Sequence, residues 1–317
     1  MVVAGLLHGC APRLQEIGPP VVEASLNGAE LLTADGAALP LRAWLPDSPP
    51  RAVILGVHGF NDYGNAFAIP AESWTAADVA VYAYDQRGFG ATEDRGLWPG
   101  VDALVDDLAT AAKLVGARHT AVPLYVVGVS MGGAVAMTAL ARDRVPDVTG
   151  TVLVGPAVWG RETMPIGHRA LLWVASHTLP WHQVSGRGLD ITPSDNIEML
   201  RALGADPLVI KETRIDAIHG LVNLMDTALE AAPALRSPLL VLYGARDEII
   251  PKEPTAAMLC ELVAPRRVAV YENGYHMLLR DLQAEVVHGD VAAWIDDPAR
   301  PLPSAAENTT SDLLNCG

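Results

Sequence analysis

A chain of 317 residues, half of them hydrophobic, can bury one large α/β core, and its 37 acidic against 22 basic side chains leave a net charge of −15. That charge repels phosphate backbones, which excludes nucleic-acid binding. Cys10, Cys260 and Cys316 are too few and too scattered for a disulfide framework or a zinc site, so structural metal and redox roles are not expected.

At the N-terminus a short apolar run ends in Leu7-His8-Gly9-Cys10, which resembles the lipobox of bacterial lipoproteins. Residues 1–18 are therefore expected to be a leader and tether. A lipidated Cys10 would place the protein at the cell envelope and touch the membrane, whereas without lipidation a cytoplasmic location is expected. Apolar β-type runs follow at 21–26, 39–45, 52–57, 79–84, 124–127, 151–154, 239–243 and 267–271, predicting eight strands. The first two, separated by Asn27-Gly28 and Asp35-Gly36, suit an antiparallel start. Helical stretches at 65–77, 101–115, 131–142, 253–263 and 282–295 then alternate with strands, as in a mostly parallel sheet with helices on both faces. Residues 120–141 lack any charge over a length that could cross a membrane. Pro123, Gly128, Gly132 and Gly133 break that run, so a buried strand entering a buried helix is the better reading. From 156 to 235 no strand-like run occurs, and Pro165, Pro180, Pro193 and Pro207 punctuate helical segments. This interval is expected to be a cap inserted into a core of residues 19–155 and 236–297, with 298–317 a disordered tail.

The sharpest signal is Gly128-Val129-Ser130-Met131-Gly132-Gly133 at a strand-to-helix turn. A serine on so tight a turn needs small residues two positions either side, and the turn lifts its hydroxyl from the sheet. Ser130 is the candidate nucleophile, and it needs a base held in one tautomer by a third group. Of nine histidines, His8, His119, His168, His177, His182 and His219 lie in leader, polar or cap contexts, and His288 is expected to be exposed on the last helix. His276 follows the final strand, at the sheet edge where Ser130 emerges. Asp247, after the penultimate strand, is the candidate acid. Glu248 is its nearest competitor, and Asp281 reads as an acid at a helix start. An oxyanion needs backbone donors, here the amides of Met131 and, in the loop after the third strand, Phe60. His58 in that loop is read as a brace and is also a candidate substrate contact.

Taken together, His58-Gly59, Tyr84-Asp85-Gln86-Arg87-Gly88-Phe89-Gly90, the Gly128-to-Gly133 turn, Asp247 and His276 resemble the monoglyceride lipase and lysophospholipase-like branch of the α/β-hydrolases over residues 20–297. The resemblance implies an α/β-hydrolase fold and a Ser-Asp-His carboxylester hydrolase with a helical cap after the sixth strand, acting on monoacylglycerol, lysophospholipid or similar acyl esters. Phe60-Asn61-Asp62-Tyr63 departs from the small-residue, Glu-His pattern of that branch, so glycerol-headgroup contacts do not carry over. Asp85 and Arg87 are read as a structural salt bridge and turn. Trp159, a candidate substrate contact, Trp173 and Trp181 make the cap either a lining for an acyl chain or a lipid-facing surface, while Asp216, His219 and Asn223 read as a solvated helical stripe. A peptidase or amidase on the same residues and a non-catalytic binding protein of this fold are the alternatives. Epoxide and haloalkane hydrolysis would require Asp where Ser130 stands. No G-x-G-x-x-G follows the first strand and no phosphate-binding loop occurs, so no cofactor is expected.

Overall fold

The computed structural model describes residues 12–307. Strands β1 (Ser25–Asn27), β2 (Glu30–Leu32), β3 (Ala38–Trp44), β4 (Ala52–Val57), β5 (Val79–Tyr84), β6 (Leu124–Val129) and β7 (Val148–Val154) precede a two-stranded ribbon, β8 (Gln183–Val184) with β9 (Thr213–Arg214), and β10 (Leu239–Gly244) and β11 (Arg266–Tyr271) follow it. The main sheet has nine strands in the order β1-β2-β3-β5-β4-β6-β7-β10-β11. β3 joins β5 antiparallel, and every pairing from β5 across to β11 is parallel.

The helices are α1 (Ala68–Ala76), α2 (Val101–Arg118), α3 (Met131–Ala141), α4 (Ile166–Thr178), α5 (Ile197–Ala205), α6 (Ile215–Ala231), α7 (Lys252–Glu261) and α8 (Ala284–Asp296). Successive side chains of a strand point to opposite faces, and burial on both faces makes the central strands continuously apolar. In β4, Val53, Leu55 and Val57 pack with Leu104 of α2, Val135 of α3, Leu224 of α6 and Leu259 of α7, whereas Ile54 packs with Trp74 of α1 and Trp294 of α8. The carboxyl ends of the parallel strands then bring the loops after β4, β6, β7, β10 and β11 to one edge, where open α/β sheets bind their ligands.

Several expectations are corrected. Of the predicted strand at 21–26, residues 21–24 are irregular, with Val21 and Val22 exposed, and only from residue 25 does a ladder form. The cap does contain strands, but β8 and β9 have two residues each and leave no periodic pattern to read. The last helix of the 156–235 interval, α6, packs on α3 and contributes Leu224 and Ala228 to the core, because its apolar face meets the sheet-covering layer. The tail is docked as far as residue 307: Arg267 donates to the Pro298 carbonyl and pairs with Glu307, Ser304 donates its backbone amide to Asp290, and Leu302 is buried. Residues 13–15 likewise lie on the core, with the Gln15 amide donating to the Trp98 carbonyl at 3.0 Å. Cys260 on α7 is disulfide-bonded, a bond the scattered cysteines did not suggest; Cys10 and Cys316, with the lipobox-like stretch, lie outside the described residues. His288 is 2% exposed, pinned between Ser73 and the Leu279 carbonyl. Asp216 is 1% exposed and accepts from Arg214, so the supposed solvated stripe begins in the core. Among the described residues no helix is long and apolar enough to cross a membrane.

The charges of Asp85-Gln86-Arg87-Gly88 pair with other residues. Asp85 takes the Arg42 guanidinium at 2.6 Å and the amides of Gly64 and Ala91. Arg87 donates to Asp107 (2.7 and 3.0 Å), to Asp35 (2.7 and 2.8 Å) and to Thr33, tying the antiparallel start to α2. The Arg87 guanidinium lowers the Asp35 carboxyl from 3.8 to about 2. A carboxyl whose folded value is depressed stabilises the fold fully above its unfolded value and loses that contribution on protonation. Urea midpoints are therefore expected to hold from neutral pH to about pH 4 on this account and to fall between about pH 4 and 2, less so in Asp35→Asn.

Candidate active site

Ser130 sits between β6 and α3 with φ 52° and ψ −115°. A non-glycine residue in this region stores about 1–3 kcal/mol of strain, which its surroundings hold in place. Its amide donates to the Val154 carbonyl (2.9 Å), and its carbonyl accepts from Gly133 (2.9 Å) and Ala157 (3.0 Å). Gly132 permits the turn because a Cβ there would lie 2.0 Å from the Val57 carbonyl oxygen, and one at Gly128 would lie 2.6 Å from that of Gly132. The backbone is thus saturated, while the Ser130 hydroxyl makes no hydrogen bond to any described residue.

Asp247 follows β10 with a fully buried carboxylate. Its Oδ1 accepts the amides of Ile249 (2.8 Å) and Ile250 (2.9 Å), and its Oδ2 is 2.8 Å from His276 Nδ1. Two backbone donors fix the carboxylate, so Nδ1 carries the hydrogen and Nε2 is left with a free lone pair. Between these loops the Arg246 amide donates to the Gly274 carbonyl at 2.9 Å. Gly155, at the end of β7, lies under the pair: a Cβ there would be 3.4 Å from both Asp247 Oδ2 and His276 Nδ1. Ser130 and His276 face one cavity without a mutual hydrogen bond, a contact that often closes only with substrate.

Met131 is the first residue of α3, so its amide has no intrahelical acceptor. The Phe60 amide finds none among the described residues, and Gly59 packs against Ser130, with a Cβ there 3.4 Å from that of Ser130. Phe60 itself lines the cavity. His58 does not: it is fully buried, Nδ1 pointing to the Gly59 carbonyl (2.8 Å) and Nε2 accepting the Gln86 amide (2.9 Å), which corrects its candidacy as a substrate contact. Burial pushes its imidazole below the ordinary histidine value, so it stays neutral.

The cavity holds about 530 Å³, within the ~300–1,000 Å³ of small-molecule sites. Trp159 lines it, whereas Trp173 and Trp181 do not and are 61% and 49% exposed. Most of its walls are apolar; Met164, which the sequence places beside Trp159 in the cap, is one of them, and others come from residues the sequence did not single out, among them Ile218, Leu221 and Met225 on α6. Near His276 the wall also carries a buried ion pair, Arg280 to Asp62 at 2.5 Å. A basic side chain four positions after the histidine was the one available signal. Glu248, the competitor acid, lines the cavity and accepts the Thr192 amide at 2.6 Å.

A strained serine between a parallel strand and a helix, facing a buried Asp-His pair from later loops, defines an α/β-hydrolase. Residues 48–283 match the family model of the serine aminopeptidases, S33, and the chain belongs to that family. It is similar to a monoacylglycerol lipase of Mycolicibacterium smegmatis (29% identical over 264 residues, 82% of this chain and 93% of that one) and to a phospholipase of Bacillus subtilis (24% over 261 residues, 80% and 98%). Among solved structures, a monoacylglycerol lipase of Paleococcus ferrophilus shares the fold, with a TM-score of 0.68 at 23% identity, over 81% of this chain and 98% of that one.

Proposed function

We propose that the protein hydrolyses carboxylic esters of acyl chains, monoacylglycerol and lysophospholipid among them, through an acyl-enzyme on Ser130. The observation that carries this reading is that Ser130 and an Asp247-bound His276 line one apolar cavity. Ser130 Oγ attacks the ester carbonyl while His276 Nε2 takes its proton, and the Phe60 and Met131 amides receive the charge on the carbonyl oxygen. The acyl–oxygen bond breaks, His276 returns the proton to the departing alcohol, and a water activated by the same nitrogen releases the fatty acid. Asp247 stabilises the imidazolium without taking its proton. The family description points to aminopeptidases, but binding a peptide's ammonium group requires an unengaged carboxylate. Of the two acids lining the cavity, Asp62 is neutralised by Arg280, whereas Glu248 gives one oxygen to the Thr192 amide and keeps its charge, so the aminopeptidase alternative rests on Glu248 and is tested by the anilide below.

The second part of the reading concerns lipid. Ile166, Leu171, Trp173 and Val174 of α4, with Leu179 and Trp181 beyond it, form a largely exposed apolar face on the cap. Large exposed apolar patches mark interaction surfaces, and with a net charge of −15 adsorption to anionic lipid must come from apolar contact. Lipidation of Cys10 belongs to the same reading, and metabolic labelling of wild type against Cys10→Ala tests it.

The decisive assay is initial rates on p-nitrophenyl esters from acetyl to palmitoyl, with 1-monoacylglycerol and leucine p-nitroanilide alongside and Ser130→Ala as background. A medium or long acyl optimum with glyceride turnover is expected. Turnover of the anilide in preference to every ester would replace the ester reading by the peptidase one.

A further inference from the structure

Two acids beside the Asp247 and His276 loops, Glu248, the sequence competitor of Asp247, and Asp281, are both bound by one short stretch of the cap. Residues 192–196 run between β8 and α5 and cross the two loops that carry Asp247 and His276. The Thr192 amide donates to Glu248 at 2.6 Å, beside Asp247. On the histidine loop, Met277 donates its amide to the Pro193 carbonyl (3.0 Å), Asn196 donates its side-chain amide to the Arg280 carbonyl (2.9 Å), and Asp195 accepts the Leu282 amide (2.9 Å). At the centre Ser194, fully buried, donates to Asp281 at 2.5 Å, and the other Asp281 oxygen accepts the Tyr275 amide at 2.8 Å. Asp281 precedes α8 by three residues and lies outside that helix, so it is spent on the loop that holds His276 rather than on a helix terminus. Burial is the main influence raising its carboxyl above the ordinary value.

We infer that residues 192–196 of the cap are the positioning element of the Asp247–His276 pair, anchored by the buried Ser194–Asp281 hydrogen bond. The inference rests on the roles proposed above for Asp247 and His276. Its physical content is that the imidazole is held by Asp247 from one side and by its own backbone from the other, and that backbone hangs on the cap. Residues 275 to 282 form no helix or strand; beside the Asp247 contact, the Arg280–Asp62 ion pair, the His288 bond to the Leu279 carbonyl and the buried Leu278 and Leu279, the clamp supplies the hydrogen bonds at Met277, Arg280, Asp281 and Leu282 that fix this backbone. The cap thereby sets the geometry of the base, beyond covering the cavity.

A positioning role and a wall role separate in kinetics. With the full chain and a p-nitrophenyl ester, Asp281→Ala is expected to lower kcat about 30-fold with KM within about twofold, since misplacement of about 1 Å costs up to about 10²-fold. Ser194→Ala, which deletes one hydroxyl, is expected to lower kcat about fivefold. Asp281→Asn should recover most of kcat, because its oxygen can accept the Tyr275 amide while its NH₂ donates to Ser194 Oγ. The His276 Nδ1 proton, observed by NMR, is expected to broaden in Asp281→Ala and to sharpen again in Asp281→Asn. Should Asp281→Ala fail to fold, Ser194→Ala carries the test. A folded Asp281→Ala or Ser194→Ala protein with unchanged kcat, or with KM raised at constant kcat, overturns the clamp. A wild-type protein with no ester turnover would instead overturn the ester reading on which it rests.

Discussion

Asp247→Asn is expected to fold with nearly unchanged stability and to lose about 10⁴ in kcat, the scale found when the orienting acid of a serine hydrolase becomes an amide. The wiring of the carboxylate makes the loss this large. Oδ1 is claimed by the amides of Ile249 and Ile250, so the asparagine must keep its oxygen there and turn its NH₂ toward His276 Nδ1. An NH₂ facing Nδ1 forces that nitrogen to accept, which moves the ring hydrogen to Nε2 and removes the lone pair that would take the Ser130 proton. Both partners remain hydrogen-bonded, so denaturant midpoints should barely move while kcat collapses. A loss below tenfold would mean that Asp247 does not set the tautomer.

The second large effect is structural. Alanine in place of a helical glycine ordinarily stabilises by up to about 1 kcal/mol. At Gly132 the sign is expected to reverse, with a destabilisation of about 3 kcal/mol and activity falling in parallel. The new methyl group would meet the Val57 carbonyl oxygen at 2.0 Å and the His58 carbonyl oxygen at 2.8 Å, which are backbone atoms that no rotamer change can move. Relief requires α3 to part from the end of β4, and that displaces the Phe60 loop from Ser130. Gly204 in α5 is the control, since nothing lies within 4 Å of its Cβ position. Gly204→Ala should raise the urea midpoint while Gly132→Ala lowers it. Equal shifts in the two variants would remove the close-approach explanation of the turn.

The same close approach explains what the sequence could tell. A glycine two positions either side of Ser130 is a local requirement, and His276 and Asp247 each follow a strand that periodicity reveals, so these three positions were legible. The cavity walls were not. Ile218, Leu221 and Met225 reach the site only because α6 packs on α3, a tertiary fact that no local pattern in α6 encodes. Glu248 reads as a rival of Asp247 because a carboxylate near a sheet edge looks alike whether it meets an imidazole or a cap amide, and Asp281 reads as a helix-start acid because its partners, Ser194 and the Tyr275 amide, are set by the tertiary fold. The partners of Arg87 lie 52 and 20 residues away in Asp35 and Asp107, a pairing that spacing does not specify. Residues 298–307 read as a tail because their contacts are made chiefly by polar atoms to Arg267 and Asp290, with Leu302 the buried apolar anchor.

The central claim is that Ser130 is the acylated residue. An alkyl fluorophosphonate, which traps an activated serine, followed by intact-mass and peptide mass spectrometry tests it most directly. The account predicts one phosphonyl group per chain, on the peptide containing Ser130, formed in step with the loss of ester hydrolysis and absent from Ser130→Ala. Label on another residue, or full hydrolysis by a chain phosphonylated at Ser130, would contradict it.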